Sequence, residues 1–339
     1  MRVLGGITGS RKASIIYLLR GNVLPVLLRA FEQETDIDLK RLLLWPITCL
    51  CTSEAPFEFI APLAPFIIKF ISFGDAGVQN TACLLATTLL ERESGMIELS
   101  NPEFCRSVIA LFDNQIAQMQ ALLAICQLLA GDEAQTEIVL QCGAVIALKR
   151  ILDSDVKPHV KQYVLMSFAN LACGTAEQIE EIFKQGVTES LLRIIAHKND
   201  DVRVAAMVIV NMLYCGTHKQ FKQLVEKQCV HALRDLLKDT DCAPDFHALL
   251  LEGANLVLDR VLNEPDVDGK NPFEPVLQII SELHLPTRFV LPPMNATDVR
   301  INRLLLAIVS KLNPQTEIEL VKIHKTKQHT SRLRSIIHI

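Results

Sequence analysis

Three asparagines, Asn170, Asn211 and Asn255, stand inside apolar stretches and recur at intervals of 41 and 44 residues. An asparagine amide carries both a donor and an acceptor, the pair that a peptide backbone also presents. Two readings are open for such a row. Each amide could make a capping or inter-repeat hydrogen bond, or the row could clamp the backbone of an extended peptide. Three asparagines at near-equal spacing favour the clamp. Residues suited to catalysis show no comparable order. HExxH, GxSxG, GxxxxGK[ST] and the dinucleotide fingerprint are absent from the sequence. The nine histidines are dispersed, and three of them (His324, His329, His338) crowd near the C-terminus. Among the ten cysteines, Cys49 and Cys51 form a CxC, which is not a zinc spacing, and no CxxC occurs. Cys83, Cys126 and Cys173 sit in apolar runs, as expected of buried free thiols in a reducing compartment. The sequence therefore predicts a binding protein, with no catalytic residues, no cofactor and no metal site.

The elements that must position these residues are helical. Of 339 residues, 50% are hydrophobic but only 5% aromatic. Apolar content carried by Leu, Ile, Val and Ala suits packed helices better than sheets and excludes disorder as the main state. The net charge of −4 excludes a general nucleic-acid footprint. It is unevenly placed: residues 321–339 hold five Lys or Arg and no acid, so the preceding chain carries −9. An acidic body suits a cationic partner. The best candidate for a membrane span, Phe57 to Phe73, contains Pro62, Pro65 and Lys69, so no membrane insertion is expected.

The chain repeats itself. Gly131-Asp-Glu-Ala-Gln, Gly174-Thr-Ala-Glu-Gln and Gly216-Thr-His-Lys-Gln follow one another at intervals of 43 and 42 residues. Each copy predicts a short first helix (Thr136 to Gln141, Glu177 to Lys184, Lys219 to Glu226). A second helix follows (Val145 to Leu152, Thr188 to Ile195, Val230 to Leu237), and then a longer third (His159 to Ala172, Asp201 to Tyr214, Asp245 to Leu262). Leu148, Ile151 and Leu152 fall at i, i+3 and i+4, as do Leu233, Leu236 and Leu237. The leading glycines are expected to adopt the left-handed conformation that closes a helix. Upstream, third helices are predicted over Leu39 to Cys51, Val78 to Leu90 and Gln115 to Leu129. One equivalent position then reads Gly6, Cys49, Thr88, Gln127, Asn170, Asn211 and Asn255, with steps of 39 to 44 residues. Three-helix repeats of this length predict an all-α fold, a right-handed superhelical armadillo-repeat solenoid whose third helices line a concave face.

At these residues the chain resembles the importin-alpha (karyopherin-alpha) family, the adaptors that recognise nuclear localisation signals. The most specific match is Gly131-Asp-Glu-Ala-Gln-Thr-Glu-Ile-Val-Leu-Gln-Cys142. Ala169-Asn170-Leu171 followed by Gly174-Thr-Ala-Glu-Gln-Ile is similar to the family pattern, as is Leu44-Trp45-Pro-Ile-Thr-Cys-Leu-Cys51. The resemblance runs in register over roughly residues 4 to 312. It implies that third helices carry a Trp and, four residues on, an Asn. The Trp rings take the aliphatic stems of Lys and Arg, and the Asn amides hold the peptide backbone. Trp45 matches that Trp, but its partner position holds Cys49. Asn170 and Asn211 match the Asn, with Met166 and Met207 at the Trp positions. Leu84 and Thr88 replace the pair in the intervening repeat, while Leu123 and Gln127 occupy a repeat where the family itself departs from the pattern. Glu133 matches an acidic loop residue that helps bind the signal's lysine. Thr81, Tyr163 and Val204 stand where carboxylates are expected. Methionine can still pack on a lysine stem, without the ring's field.

The resemblance thus implies a nuclear import adaptor that shuttles between cytoplasm and nucleus. It would bind cargo proteins with Lys/Arg-rich localisation signals through Trp45, Gln127, Glu133, Met166, Asn170, Met207, Asn211 and Asn255. The alternative is an armadillo scaffold that no longer reads such signals and holds another protein, such as an apolar helix. Direct nucleic-acid binding is not expected. The family opens with a basic segment that binds importin-beta and then further repeats. This chain starts within a repeat, so it is either missing sequence or a reduced adaptor, and the poor cap at residue 1 favours missing sequence. The expected organisation is armadillo repeats over 1–263, about six with the first truncated. A linker and an atypical capping repeat over 264–313 follow, with helices from Pro275 to Leu283 and Asp298 to Leu312. A basic tail over 314–339 is expected to be disordered.

Overall fold

A computed structural model of the chain describes residues 12–51, 55–197, 201–238, 243–263 and most positions of 300–311. Among them every regular element is a helix, and the fold is an all-α armadillo solenoid. The chain divides into two compact units after Gly174. The rung expected at Gly6, the linker, the helix from Pro275 and the basic tail lie outside the described residues. Of the helix expected over 298–312, the described positions between 300 and 311 are helical. No single helix among the described residues is long and apolar enough to cross a membrane.

The first unit runs α1 (Lys12–Arg20), α2 (Val23–Gln33), α3 (Ile37–Leu50), α4 (Phe57–Ile60), α5 (Ala64–Ile71) and α6 (Ala76–Leu90). It continues with α7 (Glu93–Leu99), α8 (Pro102–Ile109), α9 (Gln118–Leu128), α10 (Glu133–Gln141), α11 (Ala144–Leu152) and α12 (Pro158–Leu171). The third helices α3, α6, α9 and α12 pack in that order, each on the next. Small buried residues on their shared faces, Ala82, Ala86, Ala121 and Ala124, allow the close approach, while Leu89, Leu122, Ile125 and Phe168 fill the core. Burying one such Leu, Ile or Phe contributes roughly 1.5–3 kcal/mol. Lys40 is the exception in this core. Its Nζ donates to the Phe31 carbonyl at 2.7 Å and lies 4.5 and 5.0 Å from the Phe31 and Phe73 ring centres. A buried ammonium is tolerated because a carbonyl and two ring faces replace its water.

The second unit contains α13 (Ala176–Lys184), α14 (Val187–His197), α15 (Val202–Cys215), α16 (His218–Glu226), α17 (Cys229–Leu237) and α18 (Pro244–Leu262), followed by the helical residues near 300–311. Here α15 and α17 both pack on α18. A Cβ at Gly253 would stand 3.0 Å from Val210 Cγ2 and 3.4 Å from Leu233 Cδ1, so glycine lets both neighbours approach α18.

The three matching Gly-x-x-x-Gln segments are capping boxes. Asp132, Thr175 and Thr217 each accept from the backbone N–H three residues on, while Gln135, Gln178 and Gln220 reach back to the cap's own N–H. Two orphan donors are satisfied at each helix start. The first helix expected from Thr136 therefore begins at Glu133. The third helix expected from Gln115 begins instead at Gln118, because the Asn114 side chain accepts from Ile116 and Ala117 and holds a turn there.

The leading glycines do not adopt the left-handed conformation expected of them. Left-handed backbone occurs instead one helix later, between first and second helices, at Gly143 (φ 82°), Gly186 (φ 67°) and Gln228 (φ 66°). What Gly131 and Gly216 supply is space. A Cβ would lie 2.0 Å from Gln135 Oε1 at Gly131 and 2.5 Å from the Met212 carbonyl at Gly216. The capping glutamine folds back over the first of these glycines, and a side chain there would have to push it out of its capping position.

Candidate functional site

Within each unit the third helices present a face to solvent, and that unit's ladder positions lie on it. In the first unit the apolar rungs Trp45, Leu84 and Met166 are 53%, 37% and 39% exposed, and Leu123 is half-buried. Four residues after each, Cys49, Thr88, Gln127 and Asn170 are half-buried. The i, i+4 spacing puts both members of a pair on the same side of their helix. The result is a row of apolar side chains flanked by a row of short polar or sulfur-bearing ones. In the second unit Met207 and Asn211 on α15 are half-buried, as is Asn255 on α18.

Asn170 is already partly committed. Its Nδ2 donates to the Cys126 carbonyl on α9 at 3.0 Å and lies 3.6 Å from the Cys126 sulfur. This is the inter-repeat bond that the sequence left open beside the clamp, and Oδ1 is what remains for a ligand. Gln127 differs. Its Oε1 is buried without a hydrogen-bond partner among the described residues, and so is Oε1 of Gln120 seven residues earlier on the same face of α9. A buried unpaired carbonyl costs on the order of 1–3 kcal/mol, and an incoming N–H would relieve it. Sequence reasoning singled out Gln127 and missed Gln120.

Glu133 is exposed at the first position of α10, directly after the capping Asp132. It stands on a first helix, where its charge also favours the helix start. Asn255 is fully engaged. Lys311 Nζ donates to Asn255 Oδ1 at 2.6 Å and pairs with Asp259 Oδ1 at 2.6 Å. Asn255 Nδ2 in turn points at Asp259 Oδ2, 3.4 Å away. Neither Asp259 nor Lys311 was legible as a site residue.

Cys173, expected to be buried, is exposed, whereas the deeply buried thiols are poor candidates for chemistry. Burial pushes Cys51, Cys83, Cys105 and Cys229 up to about 12, far from the thiolate that nucleophilic attack or metal binding needs. Among the described residues, no three His, Cys, Asp or Glu side chains converge on a metal-sized site. What the face offers is apolar contact and amide hydrogen bonding.

Stacked three-helix repeats with a solvent-facing row of apolar and amide side chains define an armadillo-repeat scaffold. No protein-family model matches the chain. Importin subunit alpha-1a of Oryza sativa subsp. japonica is 26% identical over 188 residues, covering 54% of this chain and 36% of that protein. Importin subunit alpha-8 of Arabidopsis thaliana is 25% identical over 231 residues, covering 66% and 52% respectively. A designed armadillo repeat protein, solved in complex with the peptide (KR)4, matches with a TM-score of 0.61 at 17% identity over 74% of this chain and 99% of its own. The chain thus spans 36% to 52% of the length of these two relatives. It is a divergent, importin-alpha-like armadillo-repeat protein.

Proposed function

We propose that this chain is a non-catalytic adaptor that holds an extended peptide along its third helices and thereby carries cargo with Lys/Arg-rich nuclear localisation signals between cytoplasm and nucleus. The observation that carries this reading is the alternation on the first unit: exposed Trp45, Leu84 and Met166 beside half-buried Thr88, Gln127 and Asn170. Apolar rungs would take aliphatic side-chain stems, and the half-buried Gln127 and Asn170 amides, turned outward, would meet the peptide backbone. The named importin relatives and the (KR)4 complex of the designed protein support a basic peptide as the ligand. Importin-beta is a further partner in this reading.

A second reading is favoured by one observation. Thr81, Tyr163 and Val204 stand where groove carboxylates would recognise ammonium groups, and the most exposed rungs after Trp45 are Leu84 and Met166. Such a face suits a ligand with apolar side chains. Fluorescence anisotropy with a labelled Lys/Arg-rich signal peptide and its Lys-to-Ala control separates the two. Lysine-dependent binding, weakened about twofold to thirtyfold by Trp45→Ala, supports the import adaptor. Equal binding of both peptides supports the apolar scaffold and overturns signal reading.

A further inference from the structure

Each asparagine of the ladder has a different residue one helical turn on. Asn170 is followed by Gly174 and Asn211 by Cys215, but Asn255 is followed by Asp259. Only at Asn255 does the ladder couple an amide to a carboxylate. The two side chains are pre-aligned, since Asn255 Nδ2 faces Asp259 Oδ2 and turns Oδ1 outward. Both outward oxygens meet one group, the ammonium of Lys311, at 2.6 Å each. An amide oxygen and a carboxylate oxygen converging on one point match an ammonium with several donors, and they discriminate against an anion or an apolar group.

Lys311 is 56 residues away in sequence from Asn255. It comes from the helical segment that Arg300 also ties to α18 through Glu252. The Lys311 side chain is 25% exposed and that of Asp259 46% exposed. The pair is therefore reachable from solvent. Ion pairs this open are weak, so a ligand with contacts elsewhere on the ladder can displace the lysine.

We propose that Asn255 and Asp259 form a lysine-ammonium site on the third-helix ladder, filled in cis by Lys311, so that a lysine of a bound peptide competes with Lys311 for it. This rests on the reading of the third-helix face as a peptide site. It names the ligand of one rung and a self-occupancy that lowers affinity there.

The test uses the whole chain and a labelled (Lys-Arg)4 peptide, with (Ala-Arg)4 as control, in fluorescence anisotropy. Lys311→Met should tighten (Lys-Arg)4 binding about threefold to tenfold over the unaltered chain, and adding Asp259→Asn should abolish that gain. Circular dichroism establishes that each variant is folded. A second readout avoids variants altogether: in the unaltered chain, saturating (Lys-Arg)4 should release Lys311 and raise its acylation rate, read by mass spectrometry. Peptide binding that Lys311→Met leaves unchanged or weakens overturns the cis site alone, as does unchanged or slowed acylation of Lys311 in the bound chain. Absence of binding to every variant overturns both this site and the peptide reading beneath it.

Discussion

Gln228 holds left-handed backbone (φ 66°) at the junction where Gly143 and Gly186 stand in the two preceding repeats. A residue with a Cβ is strained there by about 1–2 kcal/mol, and glycine recovers part of that against its own loss of chain entropy. Gln228→Gly should raise stability by about 0.5–1 kcal/mol, seen as a higher urea midpoint with an unchanged slope. His247 sets a pH dependence. It is buried on α18, and desolvation lowers its pKa from the ordinary 6.5. Below 6.5 the unfolded chain takes up a proton that the folded chain resists, so stability rises with pH across this window and falls on acidification. Thermal melts between about pH 7.5 and about pH 5.5 should show that loss, and His247→Gln should reduce it. An equal acid loss in the variant would place the titration elsewhere.

The helices themselves follow from local chemistry, and this is where the sequence was most legible. Apolar residues at i, i+3 and i+4 placed the second helices Ala144–Leu152 and Cys229–Leu237 to within one residue, because those helices are buried along one face and solvated along the other. The helix starts were harder. The glycines before each first helix suggested left-handed caps, whereas the residues after them build capping boxes, and a Cβ at Gly131 would collide with the folded-back glutamine. Period and composition do not distinguish a glycine needed for φ from one needed for space. The capping reading carries its own prediction. Gln220 closes its box and also donates from Nε2 to the Ala176 carbonyl at 2.6 Å in the preceding repeat. Thr217→Ala should therefore cost about 1 kcal/mol, while Gln220→Ala, which orphans a partner in each repeat, should cost about 1–3 kcal/mol. Equal costs in urea denaturation would mean that the inter-repeat bond contributes nothing.

At the scale of the molecule, spacing predicted a row of equivalent positions, and the two units each present it. What each position does was less legible. Asn170 spends its donor on the Cys126 carbonyl, and Asn255 is held by a lysine from a distant segment. Such partners meet through folding across 44 and 56 residues, and a pattern along the chain does not reveal them. The uneven charge, −9 before residue 321, predicts that a basic peptide binds more weakly as salt rises, because open charge pairs are screened over about 8 Å at physiological ionic strength. An apolar ligand would show little such dependence.

The central claim is that an extended peptide lies along the third-helix face, and methionine gives a direct view of it. The chain has 7 methionines, with Met166 and Met207 on ladder positions and Met212 fully buried. In carbon-13 methyl-methionine spectra, titration with a Lys/Arg-rich peptide should shift the Met166 and Met207 methyl signals and leave Met212 in place. Saturable binding that leaves both Met166 and Met207 unmoved would contradict the account, because the peptide would then occupy some other surface.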